Sequence, residues 1–505
     1  MRAIASEMSA SAPPPPLSPS SAPPPPAELV AAASRANQAH LFDDWDQLIP
    51  AQRERRAKEV SHLDFAALAV ALAAALGAEE KASSTSSSTT AARNAGCEPW
   101  TSVVSLSAAG EGLSENAEQL ALWEERGLRT AAEGKLAVVV LAGGQGTRLG
   151  SSKPKGCFDI GLPCGTSLFG LHARRVLALR KRAAGKEGKE GEKNEPARVD
   201  LFIMTSDATH EETVAHFSEN GFFGLGEESV FFFRQGTMPC VTEEGKVIIG
   251  PRETGEKASD ETSSNDIGGG IASSPDGNGG LYSALVSSGA LDRMESRGAR
   301  FVDVVCVDNA LASPGDPAFV GACVSRGAAV GCRAVARERP EEKVGVFARE
   351  TRKETGGGGR LRVLEYSELD PQQALAVDPE TKKPLYAWAN VCMHFFSTGF
   401  LRSAAEDLGC GPKGRALYHC ARKAIPSFSV SENANVSVPG IKLELFIFDA
   451  FDAVAEEKVL ICGVARDDAF APVKNADAPS AVDTPAAARE ALLARRARLG
   501  EERGF

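Results

Sequence analysis

Val138-Val139-Val140-Leu141-Ala142-Gly143-Gly144-Gln145-Gly146-Thr147-Arg148-Leu149-Gly150 runs from an apolar segment straight into a glycine loop, and Lys153-Pro154-Lys155-Gly156 follows two residues later. An unbroken apolar run of this kind belongs to a strand buried on both faces, as in a parallel sheet. The loop after it holds three glycines and presents an arginine and two lysines. Glycine has no Cβ, so backbone N–H groups can turn inward and approach phosphate oxygens that a side chain would obstruct. Arg148 and Lys155 would then supply positive charge, and the stretch predicts an anion site at the carboxyl end of a strand.

Outward from this loop, apolar runs at 136–141, 199–204, 229–233, 301–307 and 391–396 alternate with helical or glycine-rich segments. Such alternation predicts an α/β sheet with crossover helices, the first over 167–182, and binding loops at the carboxyl ends of strands. Residues 136–480 form the expected catalytic domain. Before it, 1–30 is a Pro/Ser/Ala-rich tail of the polyproline II type, and 31–135 is expected to be a helical region with a flexible Ser/Thr-rich insertion at 79–96. Within that region Arg53, Glu54, Arg55 and Arg56 read as a solvated helix face, and Trp123 as part of a helix resting on the sheet. The stretches 185–196, 252–274 and 354–360 read as mobile surface insertions. Residues 481–505 hold a last helix, opened by Thr484 as cap and Pro485 at its first position.

The net charge of −11 excludes a broad nucleic-acid surface, which needs a basic field, but permits a local basic pocket. No apolar run is long enough to span a membrane. The eleven cysteines are odd in number and never stand as CxxC, which suits reduced thiols in the cytoplasm and gives zinc no site. An organelle transit peptide in the acid-poor N-terminal tail is the alternative.

The loop fits neither common phosphate-loop pattern. A Walker A loop ends in Gly-Lys-Ser/Thr, where this chain has Gly146-Thr147-Arg148, and the dinucleotide fingerprint would need a glycine at Leu149. Gly-Gly-x-Gly-Thr-Arg-Leu with Pro-Lys-Gly downstream instead resembles the signature loop of the UTP:sugar-1-phosphate uridylyltransferases. Further blocks follow in order: Gln235-Gly236, Pro275-Asp276-Gly277-Asn278-Gly279-Gly280-Leu281-Tyr282, Val307-Asp308-Asn309, Glu365-Tyr366-Ser367-Glu368, His394-Phe395-Phe396, Gly440-Ile441-Lys442-Leu443-Glu444 and Pro472-Val473-Lys474-Asn475-Ala476. Over residues 38–505 the chain resembles the eukaryotic UDP-N-acetylglucosamine pyrophosphorylase family.

The resemblance implies a Rossmann-like, GT-A-like mixed sheet flanked by helices, as in nucleotide-diphospho-sugar transferases, with an N-terminal helical region. It also implies that UTP and N-acetylglucosamine 1-phosphate give UDP-N-acetylglucosamine and pyrophosphate, with Mg²⁺, or alternatively Mn²⁺, as cofactor. The nucleotide would rest on the backbone of Leu141, Ala142, Gly143 and Gly144, with Gln235 on the uracil edge, Gly277 giving close approach and Lys442 on phosphate. Arg148, Lys155 and Lys474 would carry catalysis, and Asp308 would hold the metal. Asn278, Glu365, Asn390 and Lys474 would bind the sugar phosphate, with Glu368 a further candidate.

Plainer readings stand beside these. Asp308 could cap the next helix, residues 276–280 could be a tight turn, Arg148 could form a surface ion pair, and His394 is expected in the core. In-line attack by an ionised phosphate needs no general base. Rival functions are a pyrophosphorylase acting on N-acetylgalactosamine, glucose or galactose 1-phosphate, and a non-catalytic UDP-sugar-binding regulator. Two positions depart from the family pattern, Met393 for asparagine and Leu445 for lysine, and either could change sugar choice or pocket polarity. The family's further C-terminal domain is not expected after 484–499.

Overall fold

The apolar run before the glycine loop is a strand at Leu136–Leu141 with all six side chains buried. They are divided by the two-residue period of a strand: Leu136, Val138 and Val140 enter one hydrophobic core, and Ala137, Val139 and Leu141 enter another. The sheet therefore needs cover on both faces, which explains why the run lacks polar alternation.

The computed structural model describes residues 23–83, 97–106, 113–185, 197–252, 269–351, 359–366, 369, 371–408 and 417–500. The chain divides into two compact units, the first made of Met1–Ala66, Lys246–Ala272 and Ala424–Val438, the second of Ala67–Gly245, Ser273–Lys423 and Pro439–Phe505. Unit 2 carries an eleven-stranded sheet. Its strands are β1 (Cys97–Pro99), β2 (Val103–Ser105), β3 (Leu136–Leu141), β4 (Asp200–Thr205), β5 (Val230–Arg234), β8 (Phe301–Cys306), β9 (Val330–Ala336), β10 (Val346–Glu350), β11 (Arg360–Leu364), β12 (Trp388–Ser397) and β15 (Val459–Val464). β6 (Thr237–Pro239) pairs with β7 (Ser273–Pro275) apart from it, and β13 (Tyr418–Ser429) pairs with β14 (Ala434–Leu445) in a ribbon divided between the units.

The main path runs β2-β15-β9-β12-β8-β3-β4-β5. β8, β3, β4 and β5 are mutually parallel, whereas β12 is antiparallel to both β8 and β9. The start of β12 consequently lies at the same end of the sheet as the carboxyl ends of β3 and β8. A mixed sheet flanked by helices is the architecture expected of a nucleotide-diphospho-sugar transferase.

The chain opens with helices α1 (Ala27–Arg35), α2 (Pro50–Ser61) and α3 (Phe65–Ser83). One sheet face is covered by α4 (Leu113–Ala132), α5 (Leu168–Ala184), α6 (His210–Glu219) and α9 (Pro317–Arg326), the other by α7 (Leu281–Ser287), α8 (Ala290–Ser296) and α10 (Thr398–Leu408), with α11 (Pro485–Leu499) near the chain's end. Ser167 caps α5 by accepting the Gly170 N–H, and Thr484 caps α11 by accepting that of Ala487. α4 and α9 approach backbone to backbone: a Cβ on Gly321 would stand 1.8 Å from the Trp123 carbonyl oxygen, and one on Gly127 2.0 Å from that of Pro317.

Several expectations need correction. The region 31–135 is not wholly helical, because β1 and β2 join the sheet; at three residues each they are too short to show a period. Helix α1 begins at Ala27, inside the stretch read as tail. Arg56 is not on a solvated face. In unit 1 it is fully buried, donates to the carbonyls of Leu41 and Gly269 and pairs with buried Asp44 at 3.1 Å, while Arg252 meets the same carboxylate at 2.6 Å. Arg252 and Ser274 are buried, so the ends of the expected insertion 252–274 are built into the fold. Residues 253–268 lie outside the described residues, as do 186–196, 352–358 and 84–96.

Candidate active site

Past β3, the Ala142 N–H still donates to Met204 at 2.8 Å, and there the ladder ends. The loop then folds back on itself: Gly146 N–H donates to Lys153 and Lys155 N–H to Gly144, at 3.0 and 3.1 Å. Lys155 is thereby returned to the glycines. Arg148 is exposed, and its guanidinium has no partner among the described residues, which removes the surface-ion-pair reading. Ser206, just after β4, donates to the Gly143 carbonyl at 2.8 Å and is itself held by Thr209. These two hydroxyls brace the loop from below.

Asp308 lies two residues beyond β8, and its carboxylate stands 3.5 Å from the Lys155 ammonium, the side chains being 23% and 18% exposed. It does not cap the next helix, since Asp316 does so by accepting the Phe319 N–H. The strand end is pinned from the buried side by His172, whose ring Nε2 donates to the Val307 carbonyl at 3.0 Å. Burial pushes that imidazole down to about 3, so it stays neutral.

A segment from 469 to 476 is sewn along this strand end. Asn309 accepts from the Ala471 N–H and donates to the Ala469 carbonyl; Val473 N–H donates to Asp308 at 2.8 Å, and Ala476 N–H to Arg148 at 3.1 Å. The same bonds carry Lys474 to this end of the sheet. Its ammonium lies 3.5 Å from Asp483 and is about half exposed.

On the β5 side, Gln235 is 8% exposed. Its amide nitrogen donates to Asp276 Oδ1 at 3.2 Å and to the Gly277 carbonyl at 3.3 Å. Its oxygen lies 2.1 Å from the point a Cβ on Gly143 would occupy. Gly277 has φ of 92°, and a Cβ there would meet the Leu445 carbonyl at 2.4 Å. Asp276 is buried between Gly236 and Gly280, and burial raises its carboxyl to about 6.

Three of the four residues expected to bind the sugar phosphate, Asn278, Asn390 and Glu365, are linked in series. Asn278 accepts the Ile447 N–H at 2.9 Å, and its amide nitrogen lies 3.9 Å from Cys392 Sγ. Cys392, at a β12 bulge with φ of 54°, donates its N–H to the Asn390 side chain at 3.2 Å. Asn390 N–H donates to Gly345, and Glu365 Oε1 lies 2.7 Å from where a Gly345 Cβ would stand. Glu368 lies outside the described residues.

Lys442 sits on β14 beside the Val241–Ile441 bridge and makes no ion pair among the described residues. Met393, a departure that could change sugar choice or pocket polarity, is fully buried, and its sulfur receives the Asn309 amide at 3.6 Å. Leu445 is also turned inward, and its backbone N–H donates to Asp276 at 2.7 Å. His394 is in the core, against Cys332.

A glycine loop beyond a parallel strand, a carboxylate beyond the neighbouring one and a mixed sheet flanked by helices are the arrangement expected of the nucleotide-diphospho-sugar transferase class. Within that class, the family profile of UTP–glucose-1-phosphate uridylyltransferase matches residues 100–403, and the chain belongs to this family. It is 38% identical to UDP-N-acetylglucosamine diphosphorylase 2 of Arabidopsis thaliana over 465 residues, 92% of this chain and 83% of that one. Human UDP-N-acetylhexosamine pyrophosphorylase-like protein 1 is 35% identical, with 92% and 83% covered. The crystal structure of the UDP-N-acetylglucosamine pyrophosphorylase of Trypanosoma brucei in complex with an inhibitor superposes with a TM-score of 0.74 at 30% identity, covering 93% of this chain and 84% of that one.

Proposed function

We propose that this chain transfers UMP from UTP to N-acetylglucosamine 1-phosphate, giving UDP-N-acetylglucosamine and pyrophosphate. The observation that carries the reading is the double tie of the 472–476 segment to Asp308 and Arg148, which gathers Lys155, Lys474, Arg148 and Asp308 beside the glycine loop. Relatives that are named for UDP-N-acetylglucosamine and match 92% of the chain support the sugar.

In the reaction an oxygen of the sugar phosphate attacks the α-phosphorus of UTP as the bond to the departing pyrophosphate breaks. Little covalent work falls to the protein, which positions two polyanions and stabilises their charge. The backbone of Leu141 to Gly144 receives the nucleotide, and Gln235 meets its base. Arg148, without a partner among the described residues, can follow the equatorial and leaving oxygens as their geometry changes, which a bidentate guanidinium does better than a lysine. Lys155 exchanges Asp308 for phosphate, Lys474 meets the sugar phosphate, and Asn278, Asn390 and Glu365 meet the sugar's polar groups.

Asp308 offers a single carboxylate, and no cluster of three or more potential metal ligands occurs among the described residues. That donor set fits Mg²⁺ or Mn²⁺ held mainly by phosphates and water, and a bound ion would neutralise phosphate charge.

Initial rates of pyrophosphate release with UTP and each of the 1-phosphates of N-acetylglucosamine, N-acetylgalactosamine, glucose and galactose test the assignment. N-Acetylglucosamine 1-phosphate should react fastest. A preference for glucose 1-phosphate would overturn the substrate, and tight UDP-sugar binding without pyrophosphate release would overturn catalysis.

A further inference from the structure

A glutamine amide can offer a base either its oxygen or its nitrogen, and the two choices select opposite edges. In this fold the choice is already made. The amide nitrogen of Gln235 faces two acceptors, Oδ1 of the Asp276 carboxylate, ionised at neutral pH, at 3.2 Å and the Gly277 carbonyl at 3.3 Å. Turning the amide over would set oxygen against oxygen at both contacts. The amide oxygen is therefore left toward the glycine loop, in space open only because residue 143 has no Cβ.

Asp276 cannot swing aside. A Cβ on Gly236 would lie 2.5 Å from one of its carboxylate oxygens and a Cβ on Gly280 2.1 Å from the other. Its own N–H and that of Gly236 hydrogen-bond to the carboxylate, and its carbonyl accepts the Leu445 N–H at 2.7 Å. At 7% exposure it touches neighbours rather than solvent.

Resting on the reading above that Gln235 faces the base of the nucleotide, we propose that Asp276 is a positioning residue that locks the Gln235 amide with its oxygen outward, so that the site accepts the N3–H of uracil and rejects cytosine, whose N3 is itself an acceptor. Asp276 acts through Gln235 and does not touch the nucleotide. The two glycines flanking its carboxylate and the one facing the Gln235 oxygen are the space this lock requires.

The test compares kcat/KM for UTP and CTP in the full-length protein, with N-acetylglucosamine 1-phosphate as acceptor. In Asp276→Asn the new amide group can donate to the Gln235 oxygen, and only the Gly277 carbonyl still opposes turning the Gln235 amide over. The UTP-to-CTP ratio should then fall at least about tenfold, the discrimination carried by one well-placed hydrogen bond. Asp276→Ser, small enough for the same space, serves if the first variant is insoluble, and the same fall is expected. A variant that loses turnover on both nucleotides equally, keeping the wild-type ratio, would show a merely structural role and overturn the inference. Wild-type protein that uses UTP and CTP alike would also overturn it while leaving the uridylyl-transfer reading standing. Wild-type protein with no turnover at all would overturn that reading and the inference together.

Discussion

Replacing Gly143 with alanine sets a methyl group 2.1 Å from the Gln235 amide oxygen and 3.1 Å from its Cδ, where ordinary contact begins at 3.4 Å. The amide must retreat by about 1.3 Å, and a misplacement of that size costs on the order of 100-fold in a reaction that depends on positioning. It has little room to retreat, since its nitrogen is already bonded at 3.2 and 3.3 Å. Gly143→Ala should therefore lower kcat/KM for UTP about 100-fold, and lower stability by about 1 kcal/mol, the worth of one buried hydrogen bond. Gly144→Ala is the control, because a Cβ there meets nothing within 4 Å. Its Tm without nucleotide should match the wild type, while its KM for UTP rises because the methyl stands where phosphate must approach. Pyrophosphate release at subsaturating UTP and thermal unfolding without ligand measure the two effects. If Gly143→Ala stays within about threefold of wild-type kcat/KM, the close packing of loop and amide does not govern nucleotide binding, and the argument from positioning fails.

Arg148→Ala should cut kcat by about 10²–10³ at unchanged Tm, because its guanidinium has no partner to lose among the described residues; an unchanged kcat in single-turnover assays removes it from catalysis. Asp44→Ala leaves Arg56 and Arg252 buried without their shared carboxylate and should cost about 3–5 kcal/mol in urea unfolding; a loss below about 1 kcal/mol would contradict the buried pairing. Burial holds Asp276 near 6 in the folded protein against 3.8 for the free side chain, so between these values the folded state holds the extra proton. Its contribution to stability is complete below about pH 4 and is lost as pH rises through 6, by up to about 3 kcal/mol. Relative to wild type, Asp276→Asn should therefore gain stability between pH 4 and about 6.5; a difference that does not change with pH counts against the shift.

The sheet was legible where burial leaves no alternative to an apolar run. The runs at 136–141 and 301–307 emerge as strands within a residue of their ends, and the Thr484-Pro485 start is a true helix cap. The glycine loop was legible because few residue types permit its close approaches. What braces it was not: Ser206, Thr209 and His172 are ordinary residues in their own segments, and their partners lie 63, 67 and 135 positions away. Arg56 misled for a similar reason. A run of charges looks solvated until Asp44 and Arg252 are known to converge on it from separate stretches. Met393 stands at a departure from the family pattern, but its burial against Asn309 and the place of its neighbour Cys392 beside Asn278 come from the irregular pairing of β12, which no local pattern announces.

Unit 1 draws on three stretches of chain, and its internal bonds join all of them. Asp44 and Arg56 come from the first, Arg252 from the second, and Asn435, which exchanges hydrogen bonds with the backbone of Arg252, from the third. No single fragment of the gene encodes it. In recombination between relatives, a crossover that brings in one stretch alone would match a buried charge from one parent with a partner from the other. The three stretches are therefore expected to be inherited as a set, although far more of the gene lies between them than within them.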